Sequence, residues 1–391
     1  MNNKRLKIAL VIDTYFPMID GVVMVVDSYA KRLQEYADVT VFCPFVDKTY
    51  KGNHNYQVVR SLSFKPFFLD YVAPVPMFDR KFIKRLKKEN FDIIHIHSPF
   101  TIGSMAVNIA RRRNIPVVAT LHSQYKQDIK KFAKLEWLTN LVLSFQINVF
   151  NRCNECWAVN EGMRRLYVDE YGLTAKNKVK HNASDLLPVK DKTSARKEIR
   201  QSFNLSDKEK LFLFVGRINF IKNIPFLVEA LSNLKKLGFG FKMVFVGTGS
   251  DTEPLKKLIN ELGLEDSVII AGEIKDRQKL EKIYAASDLF LFPSLYDANS
   301  LVQIEAASQA LPTLFIREAK TASSCIEDQN AFMSDNDPLK YAQKIIDIFE
   351  NDNLYQKVSS NAQKELYVTW DDSIQALLED YERIIEEYKT R

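Results

Sequence analysis

Four cysteines in 391 residues are too few for a disulfide framework and fit a reducing compartment. No apolar run approaches the ~18 residues that a membrane-spanning helix needs. The five apolar residues 8–12 are too short for the core of a secretory signal and read as a first strand. There is no Walker loop, and Gly247-Thr248-Gly249 lacks the third glycine of a dinucleotide fingerprint. No two of the five histidines have the spacing of a helical metal pair, so no metal site is assigned. Cys153 and Cys156 have no second pair to complete a zinc site and read as two helix-end thiols without a role. These absences exclude a secreted scaffold, an integral membrane protein and the common nucleotide loops. They leave a cytoplasmic protein, soluble or peripheral to a membrane.

What is present is an ordinary globular composition, 46% apolar and 27% charged. The charge is unevenly spread. Residues 1–188 carry 28 basic and 17 acidic side chains, residues 189–391 carry 27 and 32, and the stretch 51–135 alone holds 16 basic and 5 acidic. A basic half points to nucleic acid, anionic lipid or a phosphorylated substrate, or is simply a solvated surface. No nucleic-acid recognition motif accompanies it, which sets that partner aside.

Short β-rich runs alternate with longer helical patterns. Strands are expected at 7–12, 39–43, 93–97, 117–121 and 155–159, with helices at 22–36, 79–89, 102–112, 135–152 and 161–171. Residues 181–193 lose periodicity and read as a linker. The pattern then restarts, with strands at 211–215, 242–246, 267–271, 289–292 and 313–316. Helices are expected at 225–237, 253–262, 301–310 and 338–350, and an acidic amphipathic helix closes the chain at 372–388. This is an α/β chain of two doubly wound, Rossmann-like domains, 1–188 and 189–371, facing a central cleft.

Four places could carry chemistry. Asp20-Gly21 lies between the first strand and helix, where a glycine lets backbone approach a phosphate, or is an ordinary turn. Arg217 and Lys222 sit in the loop after strand 211–215. Arg217 can fork onto diphosphate oxygens and Lys222 can act as a point charge. In the segment 294–307, Ser300 and Gln303 have the spacing of a capping box, so a helix should start at Leu301. The amides of Leu301 and Val302 would then face an anion. Asp297 and Glu305, eight residues apart, can point into one cleft and hold the hydroxyls of a sugar and of a ribose. His122 follows strand 117–121 and can donate to a sugar hydroxyl. His95 and His97 close another strand, and each of the three could equally be a packed core histidine.

Together these residues resemble a family 4 glycosyltransferase of GT-B fold, and the likeness covers nearly the whole chain. Asp297 through Glu305 matches that family's Glu-x7-Glu motif, with Asp in place of the first Glu. The segment 216–223 is similar to its diphosphate-binding Gly-Arg loop with a downstream lysine, and Gly21 and His122 match its glycine loop and donor-side histidine. Ala331 stands where the family usually has glycine. The stretches 13–23 and 95–103 look closest to bacterial diacylglycerol glucosyltransferases.

The resemblance implies a retaining, metal-independent hexosyltransferase that uses a nucleotide-diphosphate sugar, UDP-hexose first, and no cofactor. The first domain would take the acceptor, with residues 372–391 packed back on it, and the second the donor. Arg217, Lys222 and the helix at Leu301 would hold the diphosphate, Glu305 the ribose and Asp297 the sugar. The acceptor is expected to be a membrane glycolipid or lipid-linked intermediate, met on the inner face of the cell membrane. Aromatics mix with lysines in 64–88 and 126–145, and Lys84, Arg85, Lys87 and Lys88 are expected to touch anionic lipid. The alternative is a non-catalytic nucleotide-sugar or lipid-binding relative of the same fold, motivated by Asp297 and Ala331; a sugar epimerase of this fold is a third reading.

Overall fold

Runs of Val, Ile, Leu and Phe buried on both faces build two all-parallel sheets, as strands covered by helices on each side require. The structure, a computed structural model, describes residues 5–18, 20–50, 52–66, 72–130, 135–206 and 209–390. The chain divides into two units, Met1–Asn182 with Trp370–Arg391, and Ala183–Thr369.

The first unit holds seven strands in the spatial order Gln57–Ser61, Asp38–Pro44, Lys7–Val11, Ile93–Ile96, Val117–Leu121, Glu155–Ala158, Asn177–Val179. The second holds six, ordered Val268–Gly272, Phe241–Val246, Lys210–Val215, Leu289–Phe292, Thr313–Ile316, Phe332–Ser334. In both, the chain starts mid-sheet, winds to one edge, crosses its own first strand and winds to the other edge. The reversal lies between Lys7–Val11 and Ile93–Ile96 in one unit, and between Lys210–Val215 and Leu289–Phe292 in the other. Loops diverge at the carboxyl ends of such strand pairs and leave a crevice for ligand.

The divisions differ from those expected at 188/189 and 371/372. Ser184 N–H donates to Val368 O at 3.1 Å, Val189 N–H donates to Gln309 Oε1 at 2.9 Å, and Leu186 is buried in the second core, so the chain from Ala183 onward already belongs to that unit. The expected linker also ends early, because Lys192–Ser202 is a helix capped by Asp191. The final helix, Trp370–Lys389, packs on the first sheet. Its Tyr381 hydroxyl meets His95 Nδ1 at 2.7 Å, and its Arg383 pairs with the buried Glu155 at 2.9 Å.

Two outward-facing features of the first unit bear on function. A hairpin, Ser63–Phe64 against Ala73–Pro74, leads into the 3-10 turn Pro76–Phe78 and leaves Leu62, Phe64, Met77 and Phe78 exposed; residues 67–71 lie outside the described residues. The helix Glu136–Asn151 buries Leu143, Ile147 and Phe150 on one face, yet Trp137, Leu141 and Phe145 on another are 65%, 60% and 57% exposed. The preceding residues 131–134 also lie outside the described residues.

Candidate active site

The reversal point of the second sheet gathers Arg217, Lys222, Asp297 and the segment 300–305. After Val215 the chain turns at Gly216 and exposes Arg217, and Asn219 Oδ1 accepts from Ile221 N–H at 2.9 Å to start the 3-10 turn Phe220–Lys222. The following loop braces this one. A Cβ on Gly249 would lie 2.0 Å from Ile218 O, and one on Gly247, at φ +138°, 2.0 Å from Gly216 O, so only glycine permits the approach. Gly247-Thr248-Gly249 thus has a packing task that its failure as a dinucleotide fingerprint concealed.

Lys222 Nζ stands 2.7 Å from each carboxylate oxygen of Asp297. The two side chains are only 17% and 19% exposed, so the pair is sheltered from water. Sequence reasoning gives these residues separate tasks, yet the structure joins them. The helix Leu301–Ser308 starts where expected, at N-cap Ser300, but the expected capping box does not form. Gln303 is buried and turned away, accepting from Thr321 Oγ1 at 3.2 Å and donating to Cys325 Sγ at 3.0 Å. Leu301 and Val302 therefore open the helix with first-turn amides that have no partner within it.

Glu305 lies one turn further in, buried. The Tyr284 hydroxyl donates to its Oε2 at 2.9 Å and Arg277 Nη1 to its Oε1 at 3.3 Å. Burial raises its pKa, against the pull of Arg277 and the Tyr284 hydroxyl. The two carboxylates of the motif thus have different partners. Tyr284 and Arg277 escaped sequence reasoning because the helix that carries them, Arg277–Ala286, is not among those expected.

Gly21 and His122 belong to the first unit. Gly21 opens the helix Gly21–Tyr36, where a Cβ would meet no protein atom. The Asp20 carboxylate accepts from Val23 N–H at 2.8 Å, so an anion of the protein already caps this N-terminus, which weighs against the phosphate expected there. His122 Nε2 lies 3.0 Å from His97 Nδ1, the rings stacked at 24°. His95 is held by Thr120 Oγ1 and Tyr381 OH, each at 2.7 Å, as a core histidine. Burial pushes His122 down to about 3 and His95 and His97 well below the usual histidine range, so all three are neutral near pH 7. His122 therefore offers a neutral ring nitrogen rather than a cation.

Asp13, also unread in the sequence, is buried just past the first strand. It accepts from the Ile102 and Gly103 N–H groups at 2.7 and 3.3 Å and from the Ser98 hydroxyl at 2.8 Å. It thereby ties the two loops at the first reversal point together. Lys84, Arg85, Lys87 and Lys88 lie on the helix Arg80–Lys88 with their charges exposed and Phe82 and Leu86 buried beneath. Arg85 is partly engaged, by Glu89 at 2.9 Å and Gln57 at 2.6 Å. The exposed apolar side chains sit on other elements, the hairpin and the helix Glu136–Asn151. Among the described residues no helix is long and apolar enough to cross a membrane.

Two family profiles match the chain, one described as Glycosyltransferase Family 4 over residues 19–186 and one as Glycosyl transferases group 1 over residues 195–365. The chain is 26% identical over 323 residues to alpha-monoglucosyldiacylglycerol synthase of Streptococcus pneumoniae, covering 79% of this chain and 70% of that protein. It is 25% identical over 388 residues to the protein of the same name from Acholeplasma laidlawii, covering 92% of each. Anabaena Alr3699/HepE, solved in complex with UDP, superposes with a TM-score of 0.78 at 18% identity over 97% of this chain and 100% of that one. The shared fold is GT-B.

Proposed function

The chain belongs to glycosyltransferase family 4, and from that premise we propose that it moves a hexose from a UDP-sugar to a hydroxyl of a lipid acceptor. Transfer proceeds with retention, without a metal ion or cofactor, on the inner face of the cell membrane. The observation that carries this reading is the convergence of Arg217, Lys222, Asp297 and the N-terminus of Leu301–Ser308 at the reversal point of one sheet. Two cations beside helix amides stabilise the charge that builds on a leaving diphosphate. Glu305, braced by Tyr284 and Arg277, accepts ribose hydroxyls. Asp297 takes hydroxyls of the sugar, and neutral His122 gives it a further hydrogen bond. The acceptor hydroxyl attacks from the face the phosphate leaves, and the departing phosphate takes its proton.

The lipid acceptor is supported by two relatives whose names contain diacylglycerol and by the surface of the first unit. Trp137, Leu141 and Phe145 recur every fourth residue, so they share one stripe of their helix. With Phe64, Met77 and Phe78 they form apolar contacts suited to a bilayer, and the basic excess of 51–135, Lys84, Arg85, Lys87 and Lys88 included, draws the surface to anionic lipid.

The test is mass analysis of a mixture of the protein, a panel of UDP-hexoses, EDTA and vesicles containing diacylglycerol and anionic lipid. A hexosylated lipid is expected. Transfer to soluble acceptors alone removes the lipid reading, and activity that dies in EDTA and returns with a divalent ion removes the metal-free one.

A further inference from the structure

The residue expected to hold diphosphate and the residue expected to hold sugar bind each other. Lys222 has three N–H groups, and its ammonium lies within hydrogen-bond distance of both Asp297 oxygens, 2.7 Å each. The remaining surroundings keep the ammonium in place. Its stem passes over Gly216, where a Cβ would stand 3.9 Å from Lys222 Cδ, and Nζ lies 5.9 Å from the centre of the Phe292 ring. The Asp297 backbone N–H donates to Ser294 Oγ at 3.2 Å, which anchors the loop carrying the carboxylate.

The ion pair of Lys222 with Asp297 carries no net charge. A diphosphate arriving at Arg217 gains full attraction from Lys222 only when the ammonium loosens its hold on Asp297. Asp297 then needs other donors, because a carboxylate out of water without partners is costly. A donor sugar has hydroxyls to supply them beside its diphosphate, and the nucleoside diphosphate left after transfer has lost that sugar. It has instead a terminal phosphate whose charge repels the carboxylate.

We infer that Asp297 and the diphosphate compete for Lys222, so that Asp297 reclaims the lysine once the sugar has left and drives nucleoside diphosphate off the protein. Asp297 is in this respect a release residue as well as a sugar contact. The inference rests on the reading that Arg217 and Lys222 hold the donor diphosphate.

Titration calorimetry with UDP separates the two. Wild-type protein should bind UDP; if it binds no UDP, GDP or ADP at millimolar concentration, the diphosphate reading and this inference fall together. Given binding, Asp297→Asn should tighten UDP on the order of tenfold, since it removes the carboxylate that holds the Lys222 ammonium and frees that charge for the phosphate. Asp297→Ala repeats the measurement without the amide oxygen that could still accept from Lys222. In a Lys222→Met background the gain from Asp297→Asn should vanish. UDP affinity that is unchanged or weakened in both Asp297 variants overturns the competition, as does equal tightening with and without Lys222. Loss of UDP-glucose affinity with UDP unaffected would make Asp297 a sugar contact alone. Thermal melts of each variant show that it is folded.

Discussion

Acidification should unfold the first unit ahead of the second. All five histidines, at 54, 95, 97, 122 and 181, lie in the first unit, and the second has none. Burial depresses His122 to about 3 and holds His95 and His97 well below the usual value. Their folded pKa values lie below the unfolded one, so the unfolded chain takes up protons that the folded chain refuses. The stability they contribute is complete above pH ~6.5 and is lost as pH falls toward the folded values. A histidine kept neutral removes ~1.4 kcal/mol per pH unit below ~6.5, so at pH ~5 His122 alone removes on the order of 2 kcal/mol, and His95 and His97 act in the same direction. That is a large part of the stability of a typical domain, ~5–15 kcal/mol. Asp13, raised by burial, works in the opposite direction and offsets part of the loss. Glu161, which the hydrogen bond from Arg164 holds down to about 2, contributes only at more acid pH. The assay is built into the chain, because all three tryptophans, 137, 157 and 370, also lie in the first unit. Urea melts from pH ~7.5 to ~5, followed by tryptophan fluorescence for the first unit and by circular dichroism for both, should show the tryptophan midpoint falling faster. His54 and His181 are lowered by burial as well, and His122→Gln should flatten that dependence in part, by the one proton that His122 refuses. A tryptophan midpoint that stays constant over this range would refute the reasoning.

Glu305→Gln should cost at least ~tenfold in turnover while leaving the fold intact, since a hydrogen bond to a charged group contributes ~1.5–3 kcal/mol. Tyr284→Phe should lose part of this through a less well-held carboxylate, and wild-type turnover in both would remove Glu305 from the site. Gly249→Ala places a methyl 2.0 Å from Ile218 O, so it should lower the melting temperature of the second unit and weaken UDP in calorimetry; unchanged values for both would show that the loops are not braced this way. Replacing Trp137, Leu141 and Phe145 together by Ser should abolish sedimentation with anionic vesicles and spare UDP binding, because their side chains already stand in solvent. Wild-type protein that ignores such vesicles at low salt would sink the membrane reading.

How much of this was legible depends on where each residue finds its partner. The strands Val117–Leu121, Leu289–Phe292 and Thr313–Ile316 are bounded as expected, because strands buried on both faces show as unbroken apolar runs. The edge strands Gln57–Ser61, Asn177–Val179 and Phe332–Ser334 went unread, the first two because they are only partly covered and the last two because they are three residues long. The helices Lys192–Ser202 and Arg277–Ala286 were also missed. The first buries only Ala195 and Ile199, and so leaves too few apolar positions to mark a period.

At the site, residue types were legible and pairings were not. Ser300 and Gln303 carry a local signature, but Gln303 finds better partners in Thr321 and Cys325, eighteen and twenty-two residues away. Asp13 caps a helix that starts nearly ninety residues later in the chain. Lys222 and Asp297, 75 residues apart, are the sharper case. A surface meant for a charged ligand must carry charges, and each is read as a ligand contact by its type alone. Charges sheltered from water are costly unpaired, so each pairs with whichever opposite charge the fold brings near. No spacing rule discloses that partner, because it is set by the meeting of two loops at a sheet's reversal point. The same partner then decides how readily the site gives up its product, so the pairing that sequence hides is part of the function.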